Sequence, residues 1–186
     1  MTEIKGITVP KGLGKTLIVI CDLDNCFFDS RLLEKYVPKD KLSREGWDEF
    51  SRHYDECTPN KTIIDLVLAT EELLPIYFLT AREDLDYTNV REVTEKTIYR
   101  ATNGRIDFKK PKCQHKLIMR KAFDYRASAE VKKDMLIEVV QKGFYPVLAI
   151  DDDITNCEMF NLFGVKTKLY DIEKDELGEL NVNVSC

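Results

Sequence analysis

The sequence predicts a single α/β domain, a three-layer sandwich with a mainly parallel sheet. Three observations carry that expectation. Short apolar runs alternate with helical patterns of 10–15 residues, the runs lack the in–out alternation of a half-solvated strand, and each of the first three stops at a polar cluster. With 186 residues, 44% hydrophobic and 33% charged, and only 8 Gly and 6 Pro, the chain is long enough for one core and unlike a disordered or low-complexity protein.

The first run, Leu17-Ile-Val-Ile-Cys21, stops at Asp22-Leu-Asp24. The second, Pro75-Ile-Tyr-Phe-Leu79, stops at Thr80-Ala-Arg82, and the third, Pro146-Val-Leu-Ala-Ile150, stops at Asp151-Asp-Asp153. A weaker fourth strand is expected over Val165 to Tyr170. Between them, Lys61 to Leu74 reads as a helix introduced by Thr58-Pro59-Asn60. Asp86 to Thr102 reads as a more polar helix ending near Asn103-Gly104. Ser128 to Lys142 places Val131, Met135 and Val139 on one face, with Ser128 as N-cap and Gly143 as stop. Thr155-Asn-Cys-Glu158 has capping-box spacing and opens a short helix that Gly164 ends. Asn25 to Pro59 is expected to form a small cap or lid within the single domain 1–186.

The longest purely apolar run, Leu17 to Cys21, is far short of the roughly 20 residues of a membrane span. Met1 to Lys15 has no apolar leader, so a soluble, cytoplasmic protein with no membrane partner is expected. The six cysteines form no CxxC pair and no zinc spacing, and read as reduced core thiols.

Net charge is −5, against whole-surface binding of nucleic acid, but the charge is uneven. Arg100 to Lys142 holds 12 Lys/Arg against 5 Asp/Glu, a net of +7, which leaves −12 for the rest. That segment is either a local phosphate-binding surface or a solvated charged helix and loop.

In a parallel sheet, ligands sit at the carboxyl ends of the strands, and the three polar clusters stand at three such ends. Asp22 and Asp24, two residues apart on an extended strand, face the same way. Carboxylates so placed repel, and one keeps a proton unless a cation neutralises them. Asp151, Asp152 and Asp153 add to the same edge, so a hard, oxygen-preferring ion such as Mg²⁺ is implied. Thr80 offers a hydroxyl, Arg82 a guanidinium fork for a phosphate, and Lys132 an ammonium near a helix start. Together these describe phosphoryl transfer through an aspartyl-phosphate.

Asp22-Leu-Asp24, Thr80, Lys132 and Asp151-Asp152, in this order, resemble the four motifs of the haloacid dehalogenase superfamily over about Leu17 to Tyr170. The resemblance implies that superfamily's Rossmann-like sandwich with a minimal cap. It implies Asp22 as nucleophile, Asp24 as general acid and base, and Thr80 and Lys132 as phosphoryl ligands. It also implies Mg²⁺ held by Asp22, Asp151, Asp152 and the main-chain carbonyl of Asp24. Lys133 is the alternative to Lys132. Arg120 and Arg126 lie 12 and 6 residues before Lys132, which lies 19 before Asp151. This spacing is similar to that of the 3′-phosphatase domain of phage-type polynucleotide kinase/phosphatases, and so is Arg82 in Thr-Ala-Arg. It implies Arg82, Arg120 and Arg126 as substrate-binding residues and nucleic-acid ends as substrate. Asn25-Cys26 replaces the usual Gly-Thr, with Asn25 tolerating the left-handed turn, and Ser128 replaces an aspartate.

Gly12-Leu-Gly-Lys-Thr16 resembles the end of a P-loop, but position 9 is Val and the segment leads into a strand, so no kinase module is expected in this chain. His53 and His115 read as surface or basic-patch residues. Trp47, Phe50 and Tyr54 read as a helix packing face rather than a base-stacking platform, and Asp171 to Glu179 as a solvated terminus. The expected activity is a Mg²⁺-dependent removal of 3′-phosphates from polynucleotides. The alternatives are a nucleotidase or small-metabolite phosphatase, and a catalytically silent nucleic-acid-binding module.

Overall fold

The computed structural model describes residues 16–39, 44–84 and 89–179. The P-loop-like residues 12–15, the start of the expected helix at Asp86 and the terminal Cys186 lie outside them.

The strands are β1 (Thr16–Cys21), β2 (Phe28–Asp29), β3 (Thr58–Pro59), β4 (Ile76–Asp84), β5 (Lys116–Lys121), β6 (Phe144–Asp151), β7 (Lys166–Asp171) and β8 (Glu176–Glu179). The α-helices are α1 (Arg44–Arg52), α2 (Lys61–Thr70), α3 (Val90–Ala101), α4 (Ser128–Gln141) and α5 (Ile154–Leu162). Six strands form one sheet in the order β5-β4-β1-β6-β7-β8, parallel except for β8.

The apolar runs are strands buried on both faces, and the pleat divides their side chains between two cores. Val19, Cys21, Ile76 and Phe78 meet Ile63, Ile64 and Val67 of α2 and Val90 and Ile98 of α3. Ile18, Ile20, Tyr77 and Leu79 meet Val131, Met135, Leu136 and Val139 of α4 and Met159 and Phe160 of α5. This is the expected three-layer sandwich.

Three features depart from the expectation. Residues 116–121 add the edge strand β5; their half-buried alternation is weaker than the continuous apolar runs. The acidic tail is no loose terminus: Asp171 ends β7, and Glu176–Glu179 pairs antiparallel with it, the ladder outweighing the charged composition. The helix caps also differ. Ser128 is the first helical residue of α4 and Ala127 sits at the cap without a side-chain acceptor, while α5 is capped by Asp153, whose carboxylate accepts from Thr155 N at 2.7 Å. Gly143 and Gly164 do end their helices with left-handed φ of 88° and 80°.

The described residues 25–39 and 44–59 form the insertion between β1 and α2. Asn25 takes φ 55°, and its side-chain oxygen accepts from Ser30 Oγ at 2.8 Å, so the left-handed turn is made without glycine. β2 pairs with β3 to close the insertion, and Asn60 Nδ2 donates to Cys26 O at 2.9 Å. Phe27 packs edge-on against Phe28 and Phe78, which makes the insertion continuous with the core. The five described cysteines are free, and Cys21, Cys26, Cys57 and Cys157 are buried.

Ala127 has the extended backbone of an N-cap (φ −57°, ψ 151°) and is exposed. Ala127→Ser is therefore expected to raise stability by about 0.5–1 kcal/mol, read as a higher urea midpoint at unchanged m-value.

Candidate active site

β1 is the switch point of the sheet: the chain moves from it to β4 and β5 on one side and returns to β6 and β7 on the other. Crevices at such points open at the carboxyl ends of the strands. The register pairs Cys21 with Phe78 and with Ile150, so Asp22, Thr80 and Asp151 stand together toward the carboxyl end of the sheet.

At that edge the Lys132 ammonium donates to Asp22 Oδ1 at 2.6 Å and to Asp151 Oδ2 at 2.7 Å. All three side chains are nearly inaccessible, 2%, 7% and 1% exposed. Val131 and Met135 bury the neighbouring face of α4, which directs Lys132 inward, whereas Lys133 is exposed. Lys132 is thus the lysine that joins the cluster.

Burial raises the Asp22 carboxyl pKa; Lys132 opposes this, and the charges of Asp151, Asp152 and Asp24 add to it. Burial also works against the Lys132 ammonium, but Asp22 and Asp151 outweigh it and hold its pKa above the ordinary lysine value. Asp152 is pushed up to about 7 by burial and by the charge of Asp151. Carboxylate oxygens of Asp22, Asp151 and Asp152 lie within 4.8 Å of one another. An all-oxygen set in which the charge of Asp151 raises the pKa of both Asp22 and Asp152 suits a hard divalent cation such as Mg²⁺.

Asp151 is oriented by two further donors. Its Oδ1 accepts from Asp153 N at 3.1 Å and from Asn156 Nδ2 at 2.9 Å. Asn156 is 2% exposed on the first turn of α5. Asn156 falls within Thr155–Glu158, whose capping-box spacing α5 does not use, since its cap is Asp153.

Asp24 lies past the end of β1, in the turn that closes on Phe28. Its carboxylate is taken by the Arg82 fork: Nε donates to Oδ2 at 2.8 Å and the second nitrogen to Oδ1. The guanidinium carbon lies over the Tyr54 ring, 3.3 Å from its centroid, with the Phe50 centroid at 5.1 Å. Arg82 is buried; burial disfavours its charge, but Asp24 and Tyr54 more than compensate. So Arg82, expected as a phosphate ligand, holds Asp24 here. Tyr54, expected as a packing residue of a helix face, is fully buried beneath Arg82 in a 3₁₀ turn, Tyr54–Glu56. Thr80 is buried, and its Oγ1 accepts from Arg82 N at 3.2 Å.

Arg120 and Arg126 are engaged in the loop after β5. Arg120 donates to the carbonyls of Ala81, Asp124 and Arg126, and Arg126 pairs with Asp124 and Asp134. His53 is a surface residue stacked on Tyr36 between Glu49 and Glu56. His115 is half-buried, accepting from Ile76 N at 3.1 Å, at the opposite edge of the sheet.

Residues 18–171 match the family described as the polynucleotide kinase PNKP phosphatase domain. The chain belongs to this family. It is a phosphatase of the haloacid dehalogenase superfamily, and the PNKP-type phosphatase domain spans most of its length. Among solved structures, a Pnkp1/Rnl/Hen1 complex is similar over 91% of this chain and 49% of that one, at 20% identity and TM-score 0.62. A class C acid phosphatase from Bacillus anthracis with tungstate bound is similar over 78% of this chain and 55% of its own, at 21% identity and TM-score 0.51. At these identities the likeness is one of fold. The chain spans about half the length of these structures. No match is found among curated proteins.

Two variants test the geometry. Lys132→Met leaves two buried carboxylates facing each other and is expected to cost about 3–5 kcal/mol in urea unfolding, with part regained when Mg²⁺ supplies the missing cation; wild-type stability would remove Lys132 as the neutralising charge. The Tyr54 hydroxyl is buried without a partner. Tyr54→Phe should therefore be neutral or up to about 1 kcal/mol stabilising, whereas Tyr54→Leu, which removes the ring from Arg82, should cost about 2–4 kcal/mol.

Proposed function

We propose that this PNKP-type phosphatase is Mg²⁺-dependent and removes 3′-phosphates from polynucleotide ends through an aspartyl-phosphate on Asp22. The observation that carries the reading is the Lys132 bridge between Asp22 and Asp151 at the switch-point edge. It is supported by the match to a polynucleotide-processing family and by the net +7 of residues 100–142.

In this reading Asp22, Asp151 and Asp152, with the main-chain carbonyl of Asp24, would hold the ion. When bound, it would neutralise phosphoryl oxygens and lower the repulsion between the phosphate and the carboxylates. An Asp22 oxygen attacks phosphorus, and the bond to the 3′-oxygen breaks. Asp24 supplies the proton that the leaving oxygen takes up. It then withdraws a proton from the water that attacks the acyl phosphate, regenerating Asp22 and releasing inorganic phosphate. Lys132 offsets charge on the transferring group, and the Thr80 hydroxyl donates to one of its oxygens. Arg82 fixes the direction of the Asp24 carboxylate throughout, an interaction present before substrate arrives and so of no entropic cost at the reaction.

The insertion is short, only residues 25–59, which suits a site open to a macromolecular end. No helix among the described residues is long and apolar enough to cross a membrane.

The test is phosphate release with Mg²⁺ from a 3′-phosphorylated oligonucleotide, its 5′-phosphorylated twin, a nucleoside monophosphate and an aryl phosphate. The 3′-phosphorylated oligonucleotide is expected to be preferred, with activity lost on chelation. Asp22→Asn should lower kcat by more than about 10³-fold and Asp24→Asn by about 10²–10⁴-fold. Preference for the monophosphate would move the substrate to small molecules.

A further inference from the structure

Asp24 stands apart from the buried cluster. Its side chain is 29% exposed, while that of Arg82, which holds it, is 3% exposed. A bidentate fork keeps a carboxylate in the plane of the guanidinium, so the direction of Asp24 follows the tilt of that plane. No further hydrogen bond restrains the tilt. Nε and one terminal nitrogen of Arg82 are spent on Asp24, and among the described residues the other, Nη1, is buried without a partner. What lies against the guanidinium instead is aromatic, with Tyr54 at 3.3 Å and Phe50 at 5.1 Å from ring centroid to guanidinium carbon.

Tyr54 is itself held. Its ring meets Phe28 edge-on with centroids 5.3 Å apart, Phe28 meets Phe27 at 4.9 Å, and Phe27 meets Phe78 of β4 at 5.1 Å. All four rings are fully buried. The chain of contacts therefore starts on β4 at Phe78 and returns to β4 at Arg82. It also passes through the turn that carries Asp24, where Phe28 N donates to Leu23 O at 2.9 Å and Phe28 bridges to Asp24. Edge-to-face pairs are a favoured ring geometry, and close-packed interiors leave such rings little freedom. The Tyr54 hydroxyl is buried without a partner, so the residue serves Arg82 through its ring face, to which a cation is attracted.

We propose that Tyr54 is a positioning residue for proton transfer: through Arg82 it keeps the Asp24 carboxyl group aimed at the leaving oxygen. This rests on the reading of Asp24 as general acid and base given above, and it gives the insertion a part in that step. The 3′-oxygen of a sugar is a poor leaving group, and it departs as the alcohol by taking the proton of Asp24 while Asp22 attacks phosphorus. The phenolate of para-nitrophenyl phosphate departs as the anion and takes no proton. A misplacement of about 1 Å can cost about 10²-fold, and that cost falls on the first substrate and spares the second.

The test is the first turnover, with Mg²⁺, of a 3′-phosphorylated oligonucleotide and of para-nitrophenyl phosphate. In Tyr54→Leu the oligonucleotide step should slow about 10- to 100-fold at an unchanged half-saturating concentration. The burst of nitrophenolate should keep its wild-type rate, and its amplitude counts the folded enzyme. Tyr54→Phe keeps the ring and should restore the oligonucleotide rate. Equal slowing on both substrates, or no slowing on the oligonucleotide, overturns the positioning role. Asp24→Asn separates that failure from one of the mechanism. It should show the same split, and an equal loss on both substrates would overturn Asp24 as the acid. If wild-type enzyme releases nothing from the oligonucleotide, the polynucleotide reading falls, and the comparison runs on a nucleoside monophosphate, whose leaving group is again a sugar oxygen. If Tyr54→Leu gives no burst, Tyr54→Met is read in its place with the same expectations.

Discussion

A lysine ammonium held between two buried aspartates constrains this molecule more than any other single contact. Asp22 and Asp151 stand at the ends of adjacent parallel strands because β1 and β6 pair in register up to Cys21 and Ile150. Two ionised carboxylates so close and so dry would repel strongly. Lys132 makes the edge tolerable, and it can do so only because α4 packs Val131, Met135 and Val139 onto the sheet. Core packing, strand order and the charge of the site are thus one arrangement.

A second, smaller arrangement repeats the logic. Asp24 lies beyond the strand, partly exposed, and would be free to rotate. Arg82 holds it from β4, and Tyr54 holds Arg82 from the insertion. The insertion therefore reaches Asp24: an aromatic ring 30 residues downstream of it lies against the guanidinium that holds its carboxylate. The two anchors differ in kind. Lys132 is a point charge shared by two oxygens, whereas Arg82 is a planar fork matched to both oxygens of one carboxylate and stacked on a ring. A lysine at position 82 could supply the charge but neither the stacking nor the bidentate geometry.

Both anchors hold their carboxylates in place without any bound ligand, the kind of preorganisation a phosphatase site can use. The buried cluster and the oriented Asp24 carboxylate stand on separate supports, α4 for the first and β4 for the second. The family match is to a phosphatase domain, and the solved structures share its fold.

Most of the sheet and the acidic and lysine residues of the site were legible in the sequence, because each lies within or one residue beyond a local pattern. Continuous apolar runs mark strands buried on both faces, and Asp22, Thr80 and Asp151 follow them directly. Lys132 followed from its spacing, 19 residues before Asp151, and the packing of its neighbours Val131 and Met135 onto the sheet agrees with that choice. What the sequence could not show were contacts between distant segments. Tyr54 under Arg82, Asn156 on Asp151, and Arg120 and Arg126 turned into their own loop all depend on which surfaces meet after folding. A guanidinium reads the same in sequence whether it meets a phosphate, a carboxylate or a carbonyl. The edge strands β5 and β8 escaped for a related reason: with one side unpaired and polar residues outward, their order comes from the neighbouring strand rather than from their own composition. The local pattern determined the fold and which acidic and basic residues stand at the carboxyl ends of the strands, and tertiary packing decided which cation serves which anion.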